Sequence, residues 1–416
     1  MKDIMILLNP WWKTNSVKAE LSKDFRRDLF YEIEKSIKKK QITALYGLRR
    51  TGKSTIFFQL IEYFLKENIA SEKILYFSFD QKTSEIKEVL STYQEINNID
   101  LEQGNYYIFL DEIQKLENWQ NKIKIFYDRY PNIKFFISCS SNIALVRKSS
   151  ESLAGRIEFF KLEPLSYKEW LEINKIEFEE KKIDLYEKEL IGNLQWYLKT
   201  PFPEIATLKE DISIRKYIDD YIISRIISYD MKSEFQDADT SLLDTLKNLF
   251  FENPGMILNV DSLARNLNRG KEILIKHISY LEQGLIIRIL RNYKRGELSS
   301  SRKLKKVYPY SQSFYFSSDE SKKIENSIIN DLDVKYYWRE GEKEVDMVIK
   351  DNPVEIKYKN EIKEEDIDNL KYFMKKFKKN EGYLITKNRV NNFNSIKCIP
   401  VWKILIERKL ASNNLS

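Results

Sequence analysis

Eight consecutive residues constrain this chain more than any others: Gly47-Leu48-Arg49-Arg50-Thr51-Gly52-Lys53-Ser54. They satisfy G-x-x-x-x-G-K-[ST], the spacing of a phosphate-binding loop. The flanks supply the context such a loop needs. Ile42 to Tyr46 is a short apolar run, expected as a buried strand, and Ser54 to Leu65 carries helical periodicity. A strand, a glycine loop and a helix start together gather backbone N–H groups and the positive end of a helix dipole, an anion nest. The spacing therefore predicts ATP bound by residues 47–55, with Thr55 closing the segment. Lys53 reaches the β- and γ-phosphates, and the Ser54 hydroxyl ligates Mg²⁺.

A second stretch, Tyr106 to Gln114 (YYIFLDEIQ), reads as a hydrophobic strand ending in two acids. The C-terminal edge of an open α/β sheet is where ligands bind. Asp111 is expected in the Mg²⁺ shell, and Glu112 as the group that polarises the attacking water. A strand ending in Asp-Glu says little alone; about sixty residues after a phosphate loop it points to hydrolysis.

Composition bounds the rest. The chain has 416 residues, enough for several cores, and is 42% apolar and 32% charged, with net charge +7. One histidine, His277, excludes His-based metal clusters and Ser-His-Asp chemistry. Two distant cysteines, Cys139 and Cys398, suit a reducing compartment. The apolar start is too short for a signal peptide and no run reaches membrane-spanning length, so a cytoplasmic location without membrane contact is expected.

Five parts follow along the chain. Residues 1–30 form an arm containing Asn9-Pro10-Trp11-Trp12, and 31–165 an α/β core with five predicted strands, a parallel doubly wound sheet. Residues 166–240 read as a helical lid, 241–315 as a winged helix-turn-helix and 316–416 as a further α/β domain. In the core, Ser140 or Ser141 suits a sensor of phosphate state, as against a plain strand-to-helix turn. Arg156 is either a finger acting on a neighbouring subunit's nucleotide or the partner of a surface acid.

The 241–315 segment has helix–helix–helix–strand–strand order, its third helix the candidate reader of DNA. From Ser262 to Lys306 there are twelve basic and three acidic residues, net +9. That stripe predicts a duplex-DNA surface at 262–306; a solvated face used for subunit contacts is the alternative. Further on, Val345 to Ile349 and Val354 to Tyr358 read as a hairpin. Alternation puts Glu355 and Lys357 on one face, with Asp346 on the neighbouring strand. Two carboxylates suit Mg²⁺, and a lysine suits water orientation at a scissile phosphate. Glu325, on the preceding helix, is a further candidate acid.

These stretches, NPWW, GLRRTGKST, IFLDEIQ, SCSS, SLAGR…LEPLSYKEW and GEKEVDMVI…VEIKYK, resemble archaeal and bacterial AAA-type ATPases that join a P-loop domain, a winged helix and a restriction-endonuclease-like domain. The resemblance runs from Asn9 to about Lys387. It implies an ASCE-type sheet of order 5-1-4-3-2, ATP with Mg²⁺ and self-association, often as a ring. It implies a sensor at Ser140 and a finger at Arg156. It also implies a PD-(D/E)xK nuclease-like fold with Asp346, Glu355 and Lys357 in its motif. Cys139 departs from the family's Thr-Gly-Ser-Ser run, and Ile324-Glu325-Asn326 from its Phe-Glu-Asn. Two functions remain open at this point: an ATP-driven DNA transaction with a cutting or holding domain, or a nucleotide-gated switch whose nuclease-like fold only binds.

Overall fold

The computed structural model describes the chain apart from residues 81–84, 141–151, 295–303, 316–318, 360, 389–391, 409 and 411–416. The chain divides into two compact units, Met1–Glu163 and Pro164–Ser416.

The first unit is built on a five-stranded parallel sheet. Its strands are β1 (Ile42–Tyr46), β2 (Ile74–Ser78), β3 (Tyr106–Asp111), β4 (Ile133–Cys139) and β5 (Ile157–Lys161). They lie in the order β2-β3-β4-β1-β5, the order implied by the resemblance. Strands β2 and β4 are buried along their whole length, which explains why they read as unbroken apolar runs rather than alternating ones. Helices cover both faces. Against one face lie Phe57, Leu60 and Phe64 of the helix Lys53–Lys66, packed on Leu45, Phe109 and Phe136. The rings of Phe109 and Phe136 stack with centroids 4.4 Å apart. Against the other lie Val89 and Tyr93 of the helix Ile86–Asn97 and Ile123 of the helix Trp119–Arg129. Each buried side chain of this size contributes about 1.5–3 kcal/mol. This packing holds the C-terminal edge of the sheet rigid, and the phosphate loop leaves from that edge.

The second unit contains an eight-stranded sheet. Its strands are β6 (Met256–Ile257), β7 (Ile287–Asn292), β8 (Lys305–Pro309), β9 (Tyr336–Glu340), β10 (Lys343–Ile349), β11 (Asn352–Lys357), β12 (Gly382–Thr386) and β13 (Ile396–Pro400). The order is β13-β12-β11-β10-β9-β7-β8-β6. Strand β7 pairs with β9 in parallel, so one sheet runs across the boundary expected at 315/316. The helices Thr240–Glu252, Val260–Leu267 and Lys271–Gln283 precede β7 and β8, and the tip between those strands lies outside the described residues. Helices Tyr167–Ile173 and Glu187–Lys199, expected in a lid, pack on Val401–Glu407 within this unit. Among the described residues, no helix is long and apolar enough to cross a membrane.

Candidate active sites

Local geometry makes the loop. Gly47 approaches the segment after β5 so closely that a Cβ there would lie 2.1 Å from the Leu162 carbonyl oxygen. Gly52, with φ 98°, occupies the left-handed region that glycine tolerates best and starts the helix Lys53–Lys66. Among the described residues, no side chain caps that helix, which leaves its first N–H groups to an anion. The Lys53 ammonium donates to the carbonyls of Gly47 (3.1 Å) and Leu48 (2.9 Å), and Thr51 Oγ1 donates to Leu48 as well (2.9 Å). Arg27 braces the loop from behind, donating to the carbonyls of Thr51 (3.1 Å) and Glu163 (3.0 Å).

Asp111 lies at the end of β3, where the sequence placed it. Its Oδ2 accepts from Ser54 Oγ at 2.6 Å and from Tyr76 Oη at 2.8 Å, and its Oδ1 accepts from Ser138. A hydroxyl and a carboxylate this close form the hard oxygen set that Mg²⁺ takes. With the uncapped helix and Lys53, the residues present fit a nucleotide triphosphate and its metal. Glu112 adopts left-handed backbone, φ 53°, and accepts from Gln114, which also donates to Ser140 Oγ at 3.0 Å. Burial raises the Glu112 pKa, Lys53 opposes it and Asp111 adds to it. A carboxylate with raised proton affinity beside the phosphate loop is suited to take a proton from water.

Of the two serines, Ser140 is buried in this network and Ser141 lies outside the described residues. Arg156 pairs with Asp128, its Nε 2.9 Å from Oδ1. It precedes β5 opposite Ile42, whereas the loop leaves β1 after Tyr46, four residues and about 13 Å further on. Within one chain the two are at opposite edges of the sheet.

Three participants escaped the sequence reading. Ser138 carried a signal, because period-2 alternation puts it on the same face as Ser140. Gln114, two residues beyond Glu112, carried a weaker one. Tyr76 carried none.

The second carboxylate site forms on the hairpin β10–β11. Its two-residue turn, Lys350 and Asp351, has both residues at positive φ (48° and 66°), as a tight hairpin of native twist requires. A register shift between Val345 and Val348 marks a bulge against β9, and Asp346 sits in it. Bulges re-aim side chains, here toward Glu355. Glu355 Oε2 accepts from the Asp346 backbone N–H at 3.4 Å, Asp346 Oδ2 accepts from the Ile356 N–H at 2.8 Å, and Lys357 donates to Glu355 Oε1 at 2.7 Å. Asp346, Glu355 and Lys357 thus converge. Glu325 joins from the helix Glu320–Asp331 by accepting from Tyr308 Oη at 2.6 Å. Burial and the Asp346 charge push Glu355 up to about 8 and Glu325 up to about 7. Among the described residues, no group of three or more His, Cys, Asp or Glu is arranged to hold a metal ion.

Lys306, counted above among the DNA-facing bases, belongs to this cluster instead. It is buried and pairs with Glu344, which Arg339 also contacts at 3.3 Å. Burial disfavours its ammonium, but Asp346, Glu325 and Glu344 outweigh that and raise its pKa. Arg288 is likewise buried, against Asp333 and Asn330. Lys271, Lys276 and Arg269 pair with Asp261, Asp237 and Asp239. All five partner acids lie outside 262–306, so the +9 of that stretch overstates its field. Arg265, Arg291 and Lys294 are exposed, and Arg295, Arg302 and Lys303 lie outside the described residues.

Residues 39–171 match the family model of an AAA domain. Residues 194–315 and 304–404 match two domains of unknown function, DUF8612 and DUF4143. Two uncharacterized proteins of Methanocaldococcus jannaschii are 26% identical over 345 residues and 29% identical over 309. These matches cover 80% and 67% of this chain, and 74% and 63% of the relatives. An uncharacterized protein of Haemophilus influenzae is 25% identical over 274 residues, 63% of this chain and 66% of its own length. An AAA domain of the P-loop ATPase type therefore occupies residues 39–171.

Proposed function

We propose that the chain is a Mg²⁺-dependent ATPase that acts on DNA, with its second unit supplying a PD-(D/E)xK-like site and a winged helix. The observation that carries the ATPase reading is the Ser54–Asp111 contact of 2.6 Å beside an uncapped helix start. When bound, ATP supplies the reacting phosphoryl group and Mg²⁺ neutralises charge on it. Lys53 exchanges its loop carbonyls for phosphate oxygens. Asp111 and Ser54 orient the hard-cation side of the site, and Glu112 takes the proton of the attacking water. Ser140, linked to Glu112 through Gln114, is the proposed sensor. Arg156, remote from its own loop, acts only in trans, so this role requires self-association in a ring or smaller oligomer. The cytoplasm is the proposed location.

For the second unit, convergence of Asp346, Glu355 and Lys357 supports phosphodiester chemistry, with the exposed Arg265, Arg291 and Lys294 as the DNA-facing bases. One observation favours a second reading, a nucleotide-gated switch that binds without cutting. The ammonium groups of Lys306 and Lys357 already bond two of the cluster's acids, Glu344 and Glu355. The test is ATP turnover and cleavage of linear, supercoiled and branched DNA by wild type, Lys53→Ala and Asp346→Ala. ATPase activity lost in Lys53→Ala is expected; its survival would remove the first reading. Cleavage lost in Asp346→Ala makes this an ATP-coupled nuclease, and absence of cleavage favours the switch.

A further inference from the structure

We propose that the Asn9–Trp12 arm belongs to the machinery of the ATP site: it occupies the open edge of β2 and thereby seats Tyr76, which positions Asp111. This rests on the ATPase reading above.

Among the described residues, strand β2 is the outermost strand of its sheet, paired only with β3, so one side of its backbone has no strand neighbour. Such edges need cover. The arm provides it with side chains rather than with a strand. The fully buried Asn9 amide makes both hydrogen bonds that a partner strand would make to Tyr76. Its Oδ1 accepts from the Tyr76 N–H at 2.7 Å, and its Nδ2 donates to the Tyr76 carbonyl at 2.9 Å. The remaining amide hydrogen reaches the Met5 carbonyl at 2.8 Å, within the arm itself. Two residues back along β2, the Ile74 carbonyl accepts from both indoles, Trp11 Nε1 at 3.1 Å and Trp12 Nε1 at 2.8 Å. Asn9, Trp11 and Trp12 thus grip two successive outward-facing positions of one strand.

The grip reaches the site through one side chain. The Tyr76 ring packs on Phe58 with centroids 4.7 Å apart, and Phe58 meets the edge of Trp11 at 6.4 Å. The Tyr76 hydroxyl then donates to Asp111 Oδ2, the oxygen that Ser54 also contacts. With Ser138 on Oδ1, three hydroxyls hold this carboxylate in one orientation. Two of the three come from the interior strand β4 and from the loop helix, whose places other elements determine. Tyr76 comes from the edge strand, whose backbone is paired with β3 on one side and held by the arm on the other. Asparagine is needed at position 9 because an aspartate keeps the acceptor and loses the donor. The Tyr76 hydroxyl donates to Asp111, so it acts through that carboxylate; Tyr76 is a positioning residue.

The test compares full-length wild type, Tyr76→Phe, Asn9→Asp and the double variant. Three quantities are measured: Mn²⁺ affinity in the presence of a non-hydrolysable ATP analogue, by electron paramagnetic resonance; analogue affinity in EDTA; and kcat. Tyr76→Phe is expected to weaken Mn²⁺ binding about ten- to a hundredfold, the worth of one hydrogen bond to a charged group. It leaves analogue affinity in EDTA unchanged. Asn9→Asp moves Mn²⁺ affinity in the same direction, and the double variant is no worse than the more affected single one. Should Asn9→Asp fail to fold, Trp12→Phe replaces it, because it drops one donor and keeps a ring for the stack on Tyr93. Wild-type Mn²⁺ affinity in Tyr76→Phe overturns the proposal, as does a lower melting temperature in Asn9→Asp with Mn²⁺ affinity intact. If wild type binds neither analogue nor Mn²⁺, the ATPase reading itself has failed. If wild type binds both and Tyr76→Phe binds equally, only the link from arm to Asp111 has failed.

Discussion

The two carboxylate sites of this chain use the same ingredients for different ends. Each has an acidic pair at a strand end or hairpin and a buried or half-buried lysine. In the first unit the lysine, Lys53, spends its hydrogen bonds on neutral loop carbonyls. The acid Asp111 is held by hydroxyls. Positive and negative groups are kept apart, ready for an anion and a cation. In the second unit Lys357 bonds Glu355 and Lys306 bonds Glu344, so cations and acids sit against each other within the protein. Where cations and acids are prevented from pairing, a site is poised for a ligand; where they pair, much of their energy goes into the fold.

Three changes sharpen or break that comparison. The largest effect belongs to Glu112→Gln, expected to lower kcat for ATP by about 10²–10⁴ while the nucleotide still binds. Glu355→Gln should leave ATP turnover unchanged. Steady-state kinetics with a binding titration checks both, and equal kinetic effects would erase the distinction.

Next comes the pair of lysine removals. Lys306→Met removes the buried ammonium that faces Asp346, Glu325 and Glu344 and leaves Glu344 to Arg339 alone; it should cost about 3 kcal/mol in urea unfolding, the low end for breaking a buried ion pair. Lys53→Met removes two hydrogen bonds to loop carbonyls and a charge that favours ionised Glu112, and should cost less, about 1.5 kcal/mol. Similar costs would show that both lysines serve the fold.

The third is a pH dependence. Glu325 and Glu355 have folded pKa values near 7 and 8, above the ordinary 4.5. Between these limits the folded state binds more protons than the unfolded one, so their contribution to stability is present at low pH. It is lost as pH rises from about 4.5 to about 8. Melting temperatures across that range should fall, and Glu355→Gln should flatten the fall. A divalent cation held by Asp346 and Glu355 would stabilise the ionised form, so added Mg²⁺ should raise the melting temperature more at the upper end. A flat profile in wild type would mean that these acids are not buried as described.

The legible parts of both sites are the local ones. The loop from Gly47 to Ser54 and the strand ending in Asp111-Glu112 follow from spacing and hydrophobic runs. The convergence of Asp346, Glu355 and Lys357 follows from a two-residue turn and a period of two. Their geometry is set by a few neighbouring backbone angles, so eight to twelve residues suffice to specify it. The basic stretch at 262–306 shows the limit. Counting charges along the chain gives +9, but electrostatic fields fall with distance in space, and its partners come from Asp237, Asp239, Asp261, Asp333 and Glu344.

The sequence by itself determined the phosphate loop, its two following acids, the five-strand α/β pattern and the carboxylate–lysine hairpin. Only the tertiary structure decided that Tyr76 and Ser138 hold Asp111, that Lys306 serves the acid cluster and that β7 joins β9 in one sheet. The reason is range. Loop and hairpin geometry is encoded by contiguous residues, whereas each of these contacts joins residues 27 to 45 apart, from Ser138 with Asp111 to Arg291 opposite Tyr336, and exists only once a common core has brought them together.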